Sequence, residues 1–430
     1  MSRRSPSLWS QLPQSCQAPC DRYKHACCSH GGQVYVLGGR EKHSLRDFWR
    51  YSVVHNQWTE LDCSSEAAPE ELEEHSMVVH QGFIYVFGGM MDSAYTHWKS
   101  ALWVFDIGKE QWVHWQGMRS SSQNQMPVNR KGHSAVMFSS TMYIYGGYID
   151  MRGSSQEFWS FDFDTMLWSL LHSAQGGDGP GPRHNHSAIS HLDNMYLFGG
   201  LRGLREQKDL WRWSSTRHTW SCLKTLSGPS RLLGHSAVVY RDNMLLFGGG
   251  ESLGTPSNCL WRYSFTSQTW EKLTALPGSS PPSRIHHCCV GLGPSYQSKT
   301  GTCSPTATIK NSLENSKLRP FKNKCFPVSP CQGTEGAIEL ETFSSVKGKS
   351  LIELGIYCNG LKGKDTQRIG NCLTFENQEA SSKQWEGEES LVGSEESITD
   401  HLPDLLLVLG GNSKSVHTAI SVWHMTLTDL

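Results

Sequence analysis

An all-β fold of six repeated units, packed radially into a closed ring, is what this 430-residue sequence predicts. Three observations carry the prediction. A short apolar run ending in a glycine pair recurs six times, at "VYVLGG" 34–39, "IYVFGG" 84–89, "YIYGG" 143–147, "YLFGG" 196–200, "LLFGG" 245–249 and "LLVLGG" 406–411. The steps are roughly fifty residues until the last, which is about three times as long. Around each pair the same short segments keep their order, with period-two alternation and no helical register of ten or more residues.

The first segment of each unit is led by a histidine: His25, His75, His133, His186, His235 and His287, usually with Arg or Lys just before. The glycine-closed run is the second. An aromatic segment is the third: "FWRYS" 48–52, "LWVFD" 102–106, "FWSFD" 158–162, "LWRWS" 210–214, "LWRYS" 260–264 and "SVWHM" 421–425. A Trp-x-x-apolar segment is the fourth, in five units only: Trp58/Leu61, Trp112/Trp115, Trp168/Leu171, Trp220/Leu223 and Trp270/Leu273. Four strands make a blade with two uncovered faces, and radial packing of blades covers them. The tryptophans fill the wedges, and the glycine pair admits backbone where a side chain would clash.

The sixth unit lacks a fourth strand of its own. "LWSQL" at 8–12 has no strand partner nearby, and Trp9-x-x-Leu12 has the missing type and spacing. It is expected to close the ring from the other end of the chain. The sixth unit is also interrupted. Residues 291–403 are rich in Ser, Lys, Glu, Gly and Asn and hold one of the sixteen tryptophans, which reads as a disordered insertion between that blade's first and second strands. The predicted organisation is therefore 1–290 for five blades, the closing strand and the first strand of the sixth, then the 291–403 insertion, then 404–430 for the rest of the sixth blade.

These units resemble kelch repeats, whose fingerprint is a diglycine after an apolar strand, an aromatic about a dozen residues later, and a Trp beyond it. The resemblance covers roughly 20–290 and 404–430. It implies a six-bladed kelch propeller that binds other proteins through loops, an adaptor or substrate-recognition scaffold. In the family the loop entering the first strand and the loop after the diglycine open on one face. Transferred by position, the candidate partner-binding residues are Tyr23, Arg40, Glu73, Lys131, Tyr148, Arg152, His184, Arg202, Arg205 and His286, with Met90, Asp150, Leu201 and Glu251 beside them. The fifth unit reads as out of register there, because Arg231 lies four residues before its histidine. Arginine beside Tyr and Met is the composition of a recognition patch. Removing Arg40, Arg202 and Arg205 together is expected to weaken a partner without changing stability.

Composition bounds the alternatives. With 39 basic and 40 acidic residues there is no electrostatic footprint for nucleic acid or an anionic membrane. No export signal or spanning segment is read, so a cytoplasmic location is expected, with the nucleus open to it. The fourteen cysteines show no C-x-x-C pair. The six histidines are expected to be structural, and Cys27 and Cys289, neighbours across the closed ring, to be buried inert thiols. Secreted copper oxidases use related propellers, but neither their ligand set nor a nucleophile elbow, Walker loop or dinucleotide fingerprint is found, so neither enzymatic activity nor a cofactor or metal is expected. A second reading is recruitment to a ubiquitin ligase through the insertion. There Leu354 and Cys358 match the start of an elongin-binding box, and Lys362 departs from it.

Overall fold

A computed structural model describes residues 8–91, 100–114, 126–172, 179–251, 255–296, 402–413 and 418–427. The predicted insertion falls largely on residues 297–401, outside the described residues, as does the elongin-box match.

Six four-stranded antiparallel sheets are present among the described residues, five of them paired in sequence order. The first blade is Ala26–His30, Gln33–Leu37, Phe48–Ser52 and Gln57–Leu61, and the next four repeat it. First strands lie innermost, each against the first strand of the next blade, and Cys288–Leu292 of the sixth returns to Ala26–His30. The sixth blade is Cys288–Leu292, Leu405–Leu409, Val422–Thr426 and, at its outer edge, Trp9–Leu12. The closing register pairs Trp9 with Met425 and Leu12 with Val422. Without that strand the third strand would be an open edge, a template for other chains.

One correction concerns the insertion. Gly291 and Leu292 complete the first strand, and Pro294–Tyr296 forms a 3-10 turn fastened to the second strand. The Ser295 amide and hydroxyl donate to the two Asp404 carboxylate oxygens at 2.8 and 2.6 Å. Alternation alone missed this, because Gly291 interrupts the apolar pattern where the Tyr296 ring lies over it.

Each wedge between blades is built alike. The fourth-strand tryptophan packs on the residue before the preceding blade's diglycine: Trp168 on Phe87 and Trp270 on Phe198, both at 5.4 Å, and Trp9 on Phe247 at the same 5.4 Å. Such pairs contribute about 0.5–1.5 kcal/mol beyond the area they bury. The leading histidine of each blade inserts beside the first glycine of the blade before it. A Cβ on Gly88 would lie 2.7 Å from His133 Cε1 and 2.5 Å from the Arg130 carbonyl, so only glycine fits. Burial strips five of these imidazoles of water and holds them neutral: His75 and His133 are pulled down to about 3 and His235 to about 4, and His186 and His287 also lie far below the usual value.

Three residues before its histidine, each blade carries either arginine or leucine. Arg22, Arg130, Arg183 and Arg284 are fully buried, and each donates to the first-glycine carbonyl of its own blade. Burying a guanidinium there is costly unless its charge is answered, and in three of the four blades a carboxylate does so. Arg22 takes Asp47 with two hydrogen bonds of 2.7 Å, Arg183 takes Asp209 with two of 2.9 Å, and Arg130 takes Glu157 at 2.6 Å. Each acid stands just before the aromatic strand and also accepts from that strand's tryptophan, Trp49, Trp211 or Trp159. Burial works to raise these carboxyls, but the arginine outweighs it and all three are lowered. Where leucine replaces arginine, at Leu72 and Leu232, the acid's position holds Ala101 and Cys259. In these two blades both charges are absent together, whereas the sixth blade keeps Arg284 with Ser421 at the acid's position.

Candidate functional site

Antiparallel order places the loops entering first strands and the loops after the diglycines at the same end of the propeller. Backbone pairs tie them together. Tyr23 and Arg40 exchange hydrogen bonds of 3.0 and 2.8 Å, Lys131 and Tyr148 of 2.9 and 2.8 Å, and His184 and Leu201 of 3.1 and 2.8 Å. Leu233 pairs with Gly250 in the fifth blade, so that blade is in register after all, with Leu232 in place of the arginine.

Nearer the axis the same end closes in a feature that sequence reasoning missed. Lys24, Glu74, Gly132, Asn185, Gly234 and His286, each immediately before a leading histidine, all adopt left-handed backbone with φ between 54° and 63°. The amide of each donates to the carbonyl of its counterpart in the preceding blade, at 2.7–2.9 Å, and Lys24 donates to His286 to complete the circle. Glycine and asparagine at three of the six positions are the only local signal for that backbone. Below the ring lies an axial cavity of about 120 Å³. His286 belongs to this ring. The sixth-blade counterpart of Tyr23 is Ile285, which pairs with Asn412, so the rim position assigned to His286 is shifted by one residue.

The remaining candidates divide by exposure. Glu73 is only 3% exposed, and Met90 is buried too. Glu73 is held by Arg40 at 2.6 Å, Lys24 at 3.5 Å and the Ser44 hydroxyl at 2.6 Å. Burial would raise the Glu73 carboxyl, but Ser44, Arg40 and Lys24 together lower it. Arg40 is therefore occupied in balancing a buried acid, and the expectation that its removal leaves stability unchanged is revised.

The third and fourth blades differ from this. After their diglycines the chain makes two short ribbons, Tyr148–Ile149 with Gly153–Ser154 and Leu201–Arg202 with Arg205–Glu206. Their tips project Met151 and Leu204, 92% and 95% exposed, flanked by exposed Arg152, Arg202 and Arg205. Tyr148, itself exposed, meets His184 edge-on at 5.5 Å, and the His184 Nδ1 lies 2.9 Å from the Ser154 hydroxyl, which joins the two ribbons. The predicted residues Tyr148, Arg152, His184, Arg202, Arg205 and Lys131 are thus brought into one region. Met151 and Leu204 escaped notice because turn residues are read for backbone, not for exposed apolar surface.

Six blades of diglycine, leading histidine and wedge tryptophan, opening on one loop-bearing face, define a kelch-repeat β-propeller. More particularly, the chain belongs to the KLHDC2/KLHL20/DRC7 Kelch-repeats domain family, whose model matches residues 4–125 and 114–296, more than half of it. It is similar to Host cell factor 2 of Homo sapiens, 26% identical over 47% of this chain and 31% of that protein. It is also similar to Kelch domain-containing protein 10 of Xenopus laevis, 24% identical over 51% of this chain and 54% of that protein. Kelch domain-containing protein 3 of Bos taurus is 28% identical over 39% and 44% respectively. The match spans between about a third and about half of these relatives' lengths.

Proposed function

We propose that this propeller is an adaptor that recognises a protein partner through the paired ribbons of its third and fourth blades. The observation that carries the reading is the exposure of Met151 and Leu204 between three exposed arginines and a tyrosine. Isolated apolar side chains at a loop tip gain nothing for folding, while Met, Arg and Tyr packed by a partner are typical binding hot spots. The rigid blades beneath hold both ribbons in place before binding, so little ordering entropy is lost on association. Relatives named as kelch-domain proteins and a host cell factor fit an interaction scaffold; a cytoplasmic or nuclear setting is part of the proposal.

The test is proximity labelling with the full chain carrying Met151→Ser, Arg152→Ala, Leu204→Ser and Arg205→Ala. Partner proteins should be lost while the melting midpoint is kept, since single hot-spot truncations cost about 2 kcal/mol or more of binding. Leu192→Ser, on the turn at the opposite end and 77% exposed, should change neither. An unchanged set of partners in the quadruple variant would move the site away from these ribbons.

A further inference from the structure

At the seam where the ring closes, thiols stand at positions that hold serine or alanine in other blades. Between the second and third blades the His133 Nε2 lies 2.8 Å from the Ser76 hydroxyl, and between the third and fourth the His186 Nε2 lies 2.9 Å from that of Ser134. At the seam where the ring closes, Cys288 occupies the serine's position and His25 the histidine's. The next blade adds a second thiol, Cys27, where the third and fourth blades have Ala135 and Ala188. Cys27, and not Cys28, faces this wedge. Its neighbour is Cys288, and not Cys289, because facing blades meet through opposite faces of their inner strands; Cys289 packs in the adjoining wedge.

We propose that His25, Cys27 and Cys288 form a binding site for Zn²⁺ that staples the first blade to the sixth. Their donor atoms all lie within 4.8 Å of one another. An ion about 2.3 Å from sulfur and about 2.0–2.1 Å from imidazole nitrogen needs donors about 3.5–3.8 Å apart, a contraction within reach of small side-chain rotations. His25 is 5% exposed and, among the described residues, neither of its ring nitrogens has a hydrogen-bond partner, as also at His75 and His287; only at His25 do two thiols stand within reach of the imidazole. Binding releases the two thiol protons to solvent and leaves two thiolates neutralising the dication, so no net charge is buried. His25 also lines the axial cavity, which provides a path for the ion and room for a water as fourth ligand. Two cysteines and one histidine with an open position form a known zinc donor set.

The experiment uses the full chain, kept reduced and stripped of metal by chelator. Co²⁺ should give a thiolate-to-cobalt charge-transfer absorption that saturates at one equivalent, and Zn²⁺ should displace it. Cys27→Ala with Cys288→Ser installs residues that other seams already hold, so the variant should fold; the two single variants serve if it does not. The absorption should vanish in the double variant, and Zn²⁺ should raise the melting midpoint of the wild type alone. No absorption in the wild type, full absorption in the double variant, or a Cys27–Cys288 disulfide persisting in reductant would each overturn the assignment.

Discussion

At the scale of single residues, the buried arginines serve the blades. Arg183 is wholly buried, and Asp209 answers it with two 2.9 Å hydrogen bonds. Asp209→Asn keeps the shape and removes the charge, so it should destabilise the fold by about 3–5 kcal/mol. The second and fifth blades show the alternative, an apolar pair at the same two sites. Arg183→Leu combined with Asp209→Ala should therefore recover most of that loss, giving strong non-additivity in denaturant unfolding. If the double variant were as unstable as Asp209→Asn, the pairing would not be the reason for the arginine. Arg284 is the exception in the set. It has the Ser421 hydroxyl at 2.8 Å in place of an acid, and burial lowers its pKa to about 10.

Among the elements, the closing strand matters out of proportion to its four residues. Trp9 is 3% exposed and fills the wedge over Phe247 as the other tryptophans fill theirs. Trp9→Ala should cost about 3–5 kcal/mol. Deleting residues 1–13 should do worse, because it also exposes the hydrogen-bonding edge of Val422–Thr426, whereas deleting 1–5 should be silent. A melting series on the three proteins decides it, and equal midpoints for the wild type and the longer deletion would refute closure through this strand.

For the whole molecule, the neutral seam histidines act in concert. Their folded pKa values lie below the unfolded value of 6.5, so the unfolded chain binds more protons and acid favours unfolding. Their contribution is complete above pH 6.5 and is lost progressively as the pH falls toward about 3 to 4. Each adds up to about 1.4 kcal/mol per pH unit in that window. The lowered carboxyls of Asp47 and Asp209 act in the same direction, but only below the ordinary carboxylate value of 3.8. Melting midpoints should thus be level near pH 7–8 and fall steeply below about pH 6, with a shallower fall in His133→Gln. An identical slope in that variant would assign the acid sensitivity elsewhere.

Repetition made the architecture legible in the sequence. The diglycines, leading histidines and wedge tryptophans mark six equivalent positions, and the unmatched Trp9-x-x-Leu12 could belong to only one incomplete blade. Pairing between the two ends of a chain is invisible to local propensity, but here the missing strand defined its own partner. What only the tertiary structure decided lies between repeats. Whether Arg40 is free or balances Glu73, which thiol faces Cys27, and that six left-handed residues join in one hydrogen-bonded ring all depend on side chains brought together by blade packing. Strand alternation tells which face a residue is on. It does not tell which neighbour that face will meet, because that is set by the rotation from blade to blade, a property of the ring and of no single segment.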